Sequence, residues 1–244
     1  MIPNNTIKAE AIIFDKDGTL IDFDAFWVSL SRVALQDILQ QLHQDEALTD
    51  EILEAFGVHD GVTDINGVLC KGTYKQMSQI VQAVLLRSGC AVSDEIIEKM
   101  VLDAYSRNAP MGEVRPTCPN LRSVLETLKN LNKKIALVTT DNTEISVLCL
   151  EKLGILDLFD KIYTDDGKLP VKPHPDNAFD FCAYTGLTQE QVVMVGDTIT
   201  DVRFARNAGI RVIGVAKCPQ SKALLAEHAD AVMDDVSGLL ELLE

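Results

Sequence analysis

The chain has 244 residues, 47% of them hydrophobic, with a formal charge of -15 and an isoelectric point near 4.6. That length and apolar content suffice for one large domain, or for a core domain carrying a smaller one, and they exclude a disordered chain. The acidic balance excludes the basic footprint of a nucleic-acid or anionic-membrane binder, so an anionic ligand would need a locally positive pocket.

Taken in order, residues 1–10 lack the long apolar stretch of a secretory leader, and no apolar run approaches the ~18 residues that span a bilayer. A first strand is expected at residues 11–15, a short β-branched run ending at polar positions. Helical spacing then takes over, at 26–42, 50–56, 74–88 and 94–107, with no strand pattern between. An all-helical insert directly behind the first strand of an α/β core reads as a second domain. It covers residues 22–113, with hinges at 21–24 and 111–116, and leaves 1–21 plus 114–244 as the core. Residues 33–70 hold many acids and no Lys or Arg, the pattern of a solvated helical surface.

Beyond the insert, strands are expected at 135–139, 161–164, 192–197 and 211–215. Helices are expected at 121–131, 143–153, 176–184 and 200–207, with Gly154 and Gly209 placed as C-terminal stops. This alternation predicts a doubly wound α/β sheet. Six cysteines, Cys70, Cys90, Cys118, Cys149, Cys182 and Cys218, are scattered without a close pair. The spacing offers neither a zinc knuckle nor a disulfide framework, and each is expected as a small buried apolar side chain in a reducing, cytoplasmic setting.

Open α/β sheets hold ligands beyond the carboxyl ends of their strands. Asp15 ends the first expected strand, Thr139 the second and Asp197 the fourth, while Lys172 lies in the loop after the third. An Asp15-x-Asp17 pair can point two carboxylates into one crevice if the chain turns at Gly18, although a surface turn produces such a pair too. Thr139 has the hydroxyl to donate to a phosphate oxygen or to satisfy a turn. Lys172, held in the run Val171-Lys-Pro-His-Pro-Asp176, offers a cation against a transferring phosphoryl group. His174, between two prolines, reads as a loop residue. Asp197 and, four positions on, Asp201 supply hard oxygen atoms of the kind that suit Mg²⁺, with a helix N-cap as the alternative for Asp197.

These residues resemble the motifs of the haloacid dehalogenase superfamily, in its phosphatase branch with a helical cap inserted after the first motif. Phe14-Asp15-Lys-Asp17-Gly-Thr-Leu20 is similar to the first motif, Leu137-Val-Thr139-Thr140 to the second, Lys172-Pro to the third, and Gly196-Asp197-Thr-Ile-Thr-Asp201 to the fourth. The resemblance implies that Asp15 attacks phosphorus to form an aspartyl-phosphate and that Asp17 serves as acid and then base. It implies that Thr139 and Lys172 stabilise the transferring group. Mg²⁺ is implied on Asp15, the backbone carbonyl of Asp17, and Asp197, with Gly18, Thr140, Gly196 and Asp201 in support.

Asp17 argues against carbon-halogen and carbon-phosphorus chemistry, whose enzymes in this superfamily lack that acid. Gly196 argues against a sugar phosphomutase, in which an acidic residue often precedes the fourth-motif aspartate. A phospho-acceptor receiver combines similar residues but is shorter and has no insert. A binding protein without catalysis is the other alternative, although no expected catalytic side chain is missing. The implied partner is a small phosphorylated metabolite such as phosphoglycolate or a sugar phosphate, under a cap that closes over the site. Phe23, Trp27 and Lys71 are the candidates for specificity in that cap. For the two aromatic residues, packing is the alternative.

Overall fold

The computed structural model describes residues 6–243; residues 1–5, on which part of the leader reading rests, lie outside the described residues. By its internal contacts the chain divides into two compact units, one of residues Met1–Asp22 and Arg115–Glu244 and the other of Phe23–Val114. Strand β1 (Ala11–Phe14) belongs to the first unit. The second unit then carries α1 (Phe23–Gln41), α2 (Leu48–Ala55), β2 (Val58–His59), β3 (Val62–Thr63), α3 (Val68–Lys71), α4 (Tyr74–Arg87) and α5 (Asp94–Asn108). The chain re-enters the first unit and alternates through α6 (Leu121–Asn130), β4 (Lys134–Val138), α7 (Thr143–Lys152), β5 (Lys161–Tyr163), α8 (Asp176–Thr185), β6 (Val192–Gly196), α9 (Ile199–Ala208), β7 (Arg211–Val215), α10 (Pro219–Ala226), β8 (Ala231–Met233) and α11 (Leu239–Leu242).

In the first unit six strands form one parallel sheet in the order β5-β4-β1-β6-β7-β8. The runs Ala11-Ile-Ile-Phe14 and Val192-Val-Met-Val-Gly196 are buried throughout, as strands covered by helices on both faces must be. From β1 the chain moves outward through β4 to β5, then crosses back to β6 on the other side of β1. That reversal makes the switch point at which such sheets open a ligand crevice. Phe14 pairs with Leu137 of β4 and Val195 of β6, so the residues that follow these three strands emerge side by side.

The sequence pattern assigns no element past residue 215, and there the structure adds α10, β8 and α11. Strand β8 has three residues, two of them half-buried, too few to display a period. Its sheet position comes from pairing with β7.

The second unit corrects the all-helical expectation, because β2 and β3 pair as an antiparallel hairpin, Val58 with Thr63 and His59 with Val62. Asp60 and Gly61 between them take φ values of 51° and 80°, the two left-handed positions of a tight hairpin turn. Asp24 anchors the hairpin by accepting from the backbone N–H and the hydroxyl of Thr63, at 3.0 and 2.6 Å. Ahead of α4 the chain makes the single helical turn α3. Thr73 then caps α4, its hydroxyl accepting from the Gln76 N–H.

The cysteine expectation also needs correction. None of the six is joined in a disulfide, but only Cys118 and Cys149 are buried; Cys218 is exposed and the other three are half-buried. Cys218 lies at the entry to α10, where its sulfur accepts from the Ser221 N–H, a helix-capping position in place of a core one. Among the described residues no helix is long and apolar enough to cross a membrane.

Candidate active site

Four strand ends of the first unit supply the site. Asp15 continues β1 by one residue, its N–H donating to Val195 O at 2.9 Å, and Thr139 likewise continues β4, its N–H donating to Tyr163 O at 3.0 Å. These extra ladder bonds fix both backbones just where the side chains leave the sheet. Lys172, in the loop between β5 and α8, is buried. Its ammonium donates to Asp15 Oδ1 and, at 2.6 Å, to Asp201 Oδ1.

Asp201 lies in the first turn of α9 and is itself fixed by a capping box. The Thr198 hydroxyl and N–H donate to its Oδ2 at 2.6 and 3.0 Å, satisfying groups that a helix start leaves open. Gly196 makes room for this carboxylate, because a Cβ there would stand 2.5 Å from both Cβ and Cγ of Asp201. Gly18 serves Asp197 in the same way: it takes φ +78°, and a Cβ would lie 2.2 Å from Asp197 Oδ2. A non-glycine residue at position 18 would meet both backbone strain and a collision with a site carboxylate.

Carboxylate oxygens of Asp15, Asp197 and Asp201 lie within 4.8 Å of one another. At an effective dielectric of about 20, two unit charges at that separation repel by about 3 kcal/mol. The single Lys172 ammonium offsets part of this. Burial above all, then the neighbouring carboxylates, pushes the Asp15 carboxyl from 3.8 up to about 7 and the Asp197 carboxyl well above its usual range, against the pull of Lys172. Lys172 is held protonated, because Asp15 and Asp201 outweigh the cost of its burial. Three hard oxygen donors with excess negative charge and little water fit a divalent cation of the Mg²⁺ type.

Of the residues expected at the site, Asp15, Gly18, Lys172, Gly196, Asp197 and Asp201 are brought together. The Thr139 hydroxyl lies at the adjacent strand end, accepting from the Asp141 N–H at 3.2 Å, and Thr140 beside it is exposed. Asp17 takes a different partner, with its Oδ2 3.0 Å from the Lys16 ammonium. His174 sits on the surface 3.2 Å from Asp176. Phe23, Trp27 and Lys71 belong to the second unit. There the Phe23 and Trp27 rings lie 6.2 Å apart, Trp27 meets Phe26 edge-on at 5.3 Å, and Lys71 donates to Asn66 Oδ1 at 2.7 Å.

Two polar residues at this edge are not singled out by sequence reasoning. Lys16 is fully buried, and its ammonium also donates to Asp141 Oδ2 at 2.7 Å. Thr19, likewise buried, approaches Asp197 Oδ1 with its hydroxyl at 3.4 Å. A lysine two residues past a strand that is apolar at every position is the available signal, since the buried strand leaves such a side chain little route to solvent.

A family model described as haloacid dehalogenase-like hydrolase matches residues 12–215. The phosphoglycolate phosphatase of Pasteurella multocida strain Pm70 is 35% identical over 127 residues, which cover 52% of this chain and 57% of that protein. The match thus spans little more than half the length of that relative. The phosphoglycolate phosphatase of Nitrosococcus oceani is 30% identical over 211 residues, 84% of this chain and 83% of that protein. A crystal structure of a predicted phosphoglycolate phosphatase from Haemophilus somnus 129PT superposes with a TM-score of 0.68 over 96% of this chain and 97% of the other, at 22% identity. At that identity the likeness speaks for the fold alone. With the family model covering most of the sequence and the strand-end residues assembled as described, the chain belongs to the haloacid dehalogenase-like hydrolase family.

Proposed function

We propose that this hydrolase cleaves small phosphate monoesters in a Mg²⁺-dependent reaction that passes through an aspartyl-phosphate on Asp15. The observation that carries the reading is the Lys172 ammonium bridging Asp15 and Asp201 beside Asp197. It joins a buried nucleophile, a fixed cation and a set of metal-binding oxygens at one sheet edge. The relatives named phosphoglycolate phosphatase favour a small, carboxylate-bearing phosphate as substrate.

Asp15, Asp197 and the backbone carbonyl of Asp17 would hold the metal. Both oxygens of Asp201 already accept from Lys172 and Thr198, so Asp201 supports the set by orienting its neighbours. When bound, Mg²⁺ neutralises the clustered anions and polarises the phosphoryl oxygens. A carboxylate oxygen of Asp15 attacks phosphorus, and the bond from phosphorus to the ester oxygen breaks as Asp17 gives that oxygen its proton. Asp17, now ionised, takes a proton from a water molecule whose oxygen attacks the same phosphorus. The bond to Asp15 then breaks, releasing inorganic phosphate and restoring the enzyme. Lys172 and the Thr139 hydroxyl offset charge on the transferring group.

The test is a panel of phosphorylated metabolites incubated with purified protein and Mg²⁺, scored by phosphate release. Release from a small monoester, silenced by chelation, is expected. No release from any member, or full rate in excess chelator, would overturn the reading. Thermal stability offers a second check that needs no substrate. In metal-free protein the folded form keeps a proton on Asp15 up to about pH 7, whereas the unfolded form loses it near 3.8. The folded state binds more protons across that window, so this group makes the fold less stable as pH rises through it. A divalent cation needs the ionised carboxylates, so the rise in midpoint on adding Mg²⁺ should widen between pH 5 and pH 7.5. A gap that narrows instead would contradict the metal assignment.

A further inference from the structure

Lys16 stands between the two aspartates of the first motif, yet its ammonium pairs with carboxylates other than those that hold Lys172. It is fully buried, and its ammonium lies 3.0 Å from Asp17 Oδ2 and 2.7 Å from Asp141 Oδ2. Asp141 is in turn fixed on both sides. Its Oδ1 accepts from the Asn142 N–H at 2.9 Å, its N–H donates to the Thr139 hydroxyl, and its carbonyl accepts from the Asp165 N–H at 2.8 Å. A lysine is rarely enclosed completely unless it is paired, and this one joins the loop after β1 to the loop after β4. Asp141 offsets its charge, so the pair presents Asp17 with a donor fixed in place.

We propose that the Lys16–Asp141 pair is a positioning clamp that holds the Asp17 carboxyl group in the orientation needed for proton transfer. This rests on the acid/base role given to Asp17 above. A flexible aspartate has two rotatable side-chain bonds and two equivalent oxygens. Holding one oxygen leaves a single orientation for the other, and misplacing a catalytic group by about 1 Å can cost on the order of 10²-fold in rate. Lys172 cannot do this work, since its ammonium is committed to Asp15 and Asp201.

The clamp has a signature that general loosening of the fold would not produce. Proton donation matters most when the departing oxygen is a poor leaving group, so the measurement compares kcat/KM for phenyl phosphate and p-nitrophenyl phosphate, which are close in shape but differ in leaving-group acidity. Relative to wild type with Mg²⁺, Lys16→Met should lose about 100-fold on phenyl phosphate and no more than about threefold on p-nitrophenyl phosphate. Asp141→Asn, which keeps its shape and an acceptor for Lys16, should show the same bias at smaller size and serves as the test if Lys16→Met does not fold. Equal losses on the two substrates, or no loss, would overturn the clamp. Asp17→Asn calibrates the assay. If that variant shows no leaving-group bias, the acid role of Asp17 fails and the clamp falls with it, whereas bias in Asp17→Asn alone rejects the clamp and spares the acid.

Discussion

Asp15→Asn is expected to lower turnover by at least about 10⁴-fold while leaving the thermal midpoint at or slightly above that of the wild type. The size of the loss follows from removing the nucleophile, a change that the remaining groups cannot replace. The direction of the stability effect follows from the local charge. Asp15 shares the Lys172 ammonium with Asp201, and Asp197 lies within the same cluster. Asparagine removes one of three crowded carboxyl groups, one already raised to about 7 by its surroundings, without stranding the lysine, which keeps Asp201 at 2.6 Å. A phosphate-release assay with a midpoint measurement checks both parts. Retained activity would remove Asp15 from the proposed chemistry, and a large fall in midpoint would mean that the carboxylate holds the fold together.

Lys172→Met should do the opposite to stability. Methionine has a similar length and no charge, so the three carboxylates lose the cation between them. Breaking a buried ion pair from one side costs about 3–5 kcal/mol. At roughly 2–4 °C per kcal/mol for a chain of this size, the midpoint should fall by on the order of 10 °C. The deficit should shrink as pH falls, because burial and mutual repulsion already raise the Asp15 and Asp197 carboxyls, and protonation relieves the repulsion the lysine had offset. Turnover should fall by about 10²–10³-fold as well, the usual effect of losing one fixed group that stabilises developing charge. Thermal scans from pH 5 to pH 8 decide the matter, and a deficit that does not change with pH would refute the charge argument. Lys129→Met makes a useful contrast. Its partner Asp160 sits 2.7 Å away with both side chains partly in solvent, so about 1 kcal/mol or less is expected there.

Much of the sheet was legible because β1, β4 and β6 each carry an apolar run that stops at a polar residue, Asp15, Thr139 and Asp197. Val192-Val-Met-Val-Gly-Asp197 announces both a buried strand and what stands at its end. The converging strand ends then follow from parallel pairing and the rule that such sheets bind at their carboxyl edge. What was not legible depends on partners far away in sequence. Nothing local to Lys16 says that its ammonium will meet Asp141, 125 positions later. Asp201 could be placed one helical turn from Asp197 by spacing, but its closeness to Asp15 requires β1 and β6 to be neighbours. The hairpin at Asp60-Gly61 carried its turn signal in plain view. Its strands are two residues each, too short for alternation to register, so helical spacing on both sides governed the reading.

One feature of the first unit bears on how such a chain can change over evolutionary time. Ile21 and Pro116 pair across an antiparallel bridge, and the Asp22 N–H donates to Arg115 O at 2.9 Å. The two points where residues 23–114 depart and return are therefore stitched to each other by the sheet-bearing unit itself. Topologically that whole stretch is the tip of a hairpin. Since each doubling of a closed loop adds only about 0.6 kcal/mol of entropy, its length and content are nearly neutral to the sheet. Lineages could exchange this stretch for another, or shorten it to a turn, while keeping the strand-end residues in register: the chemistry is inherited with the stem, and novelty can be grafted beyond the stitch.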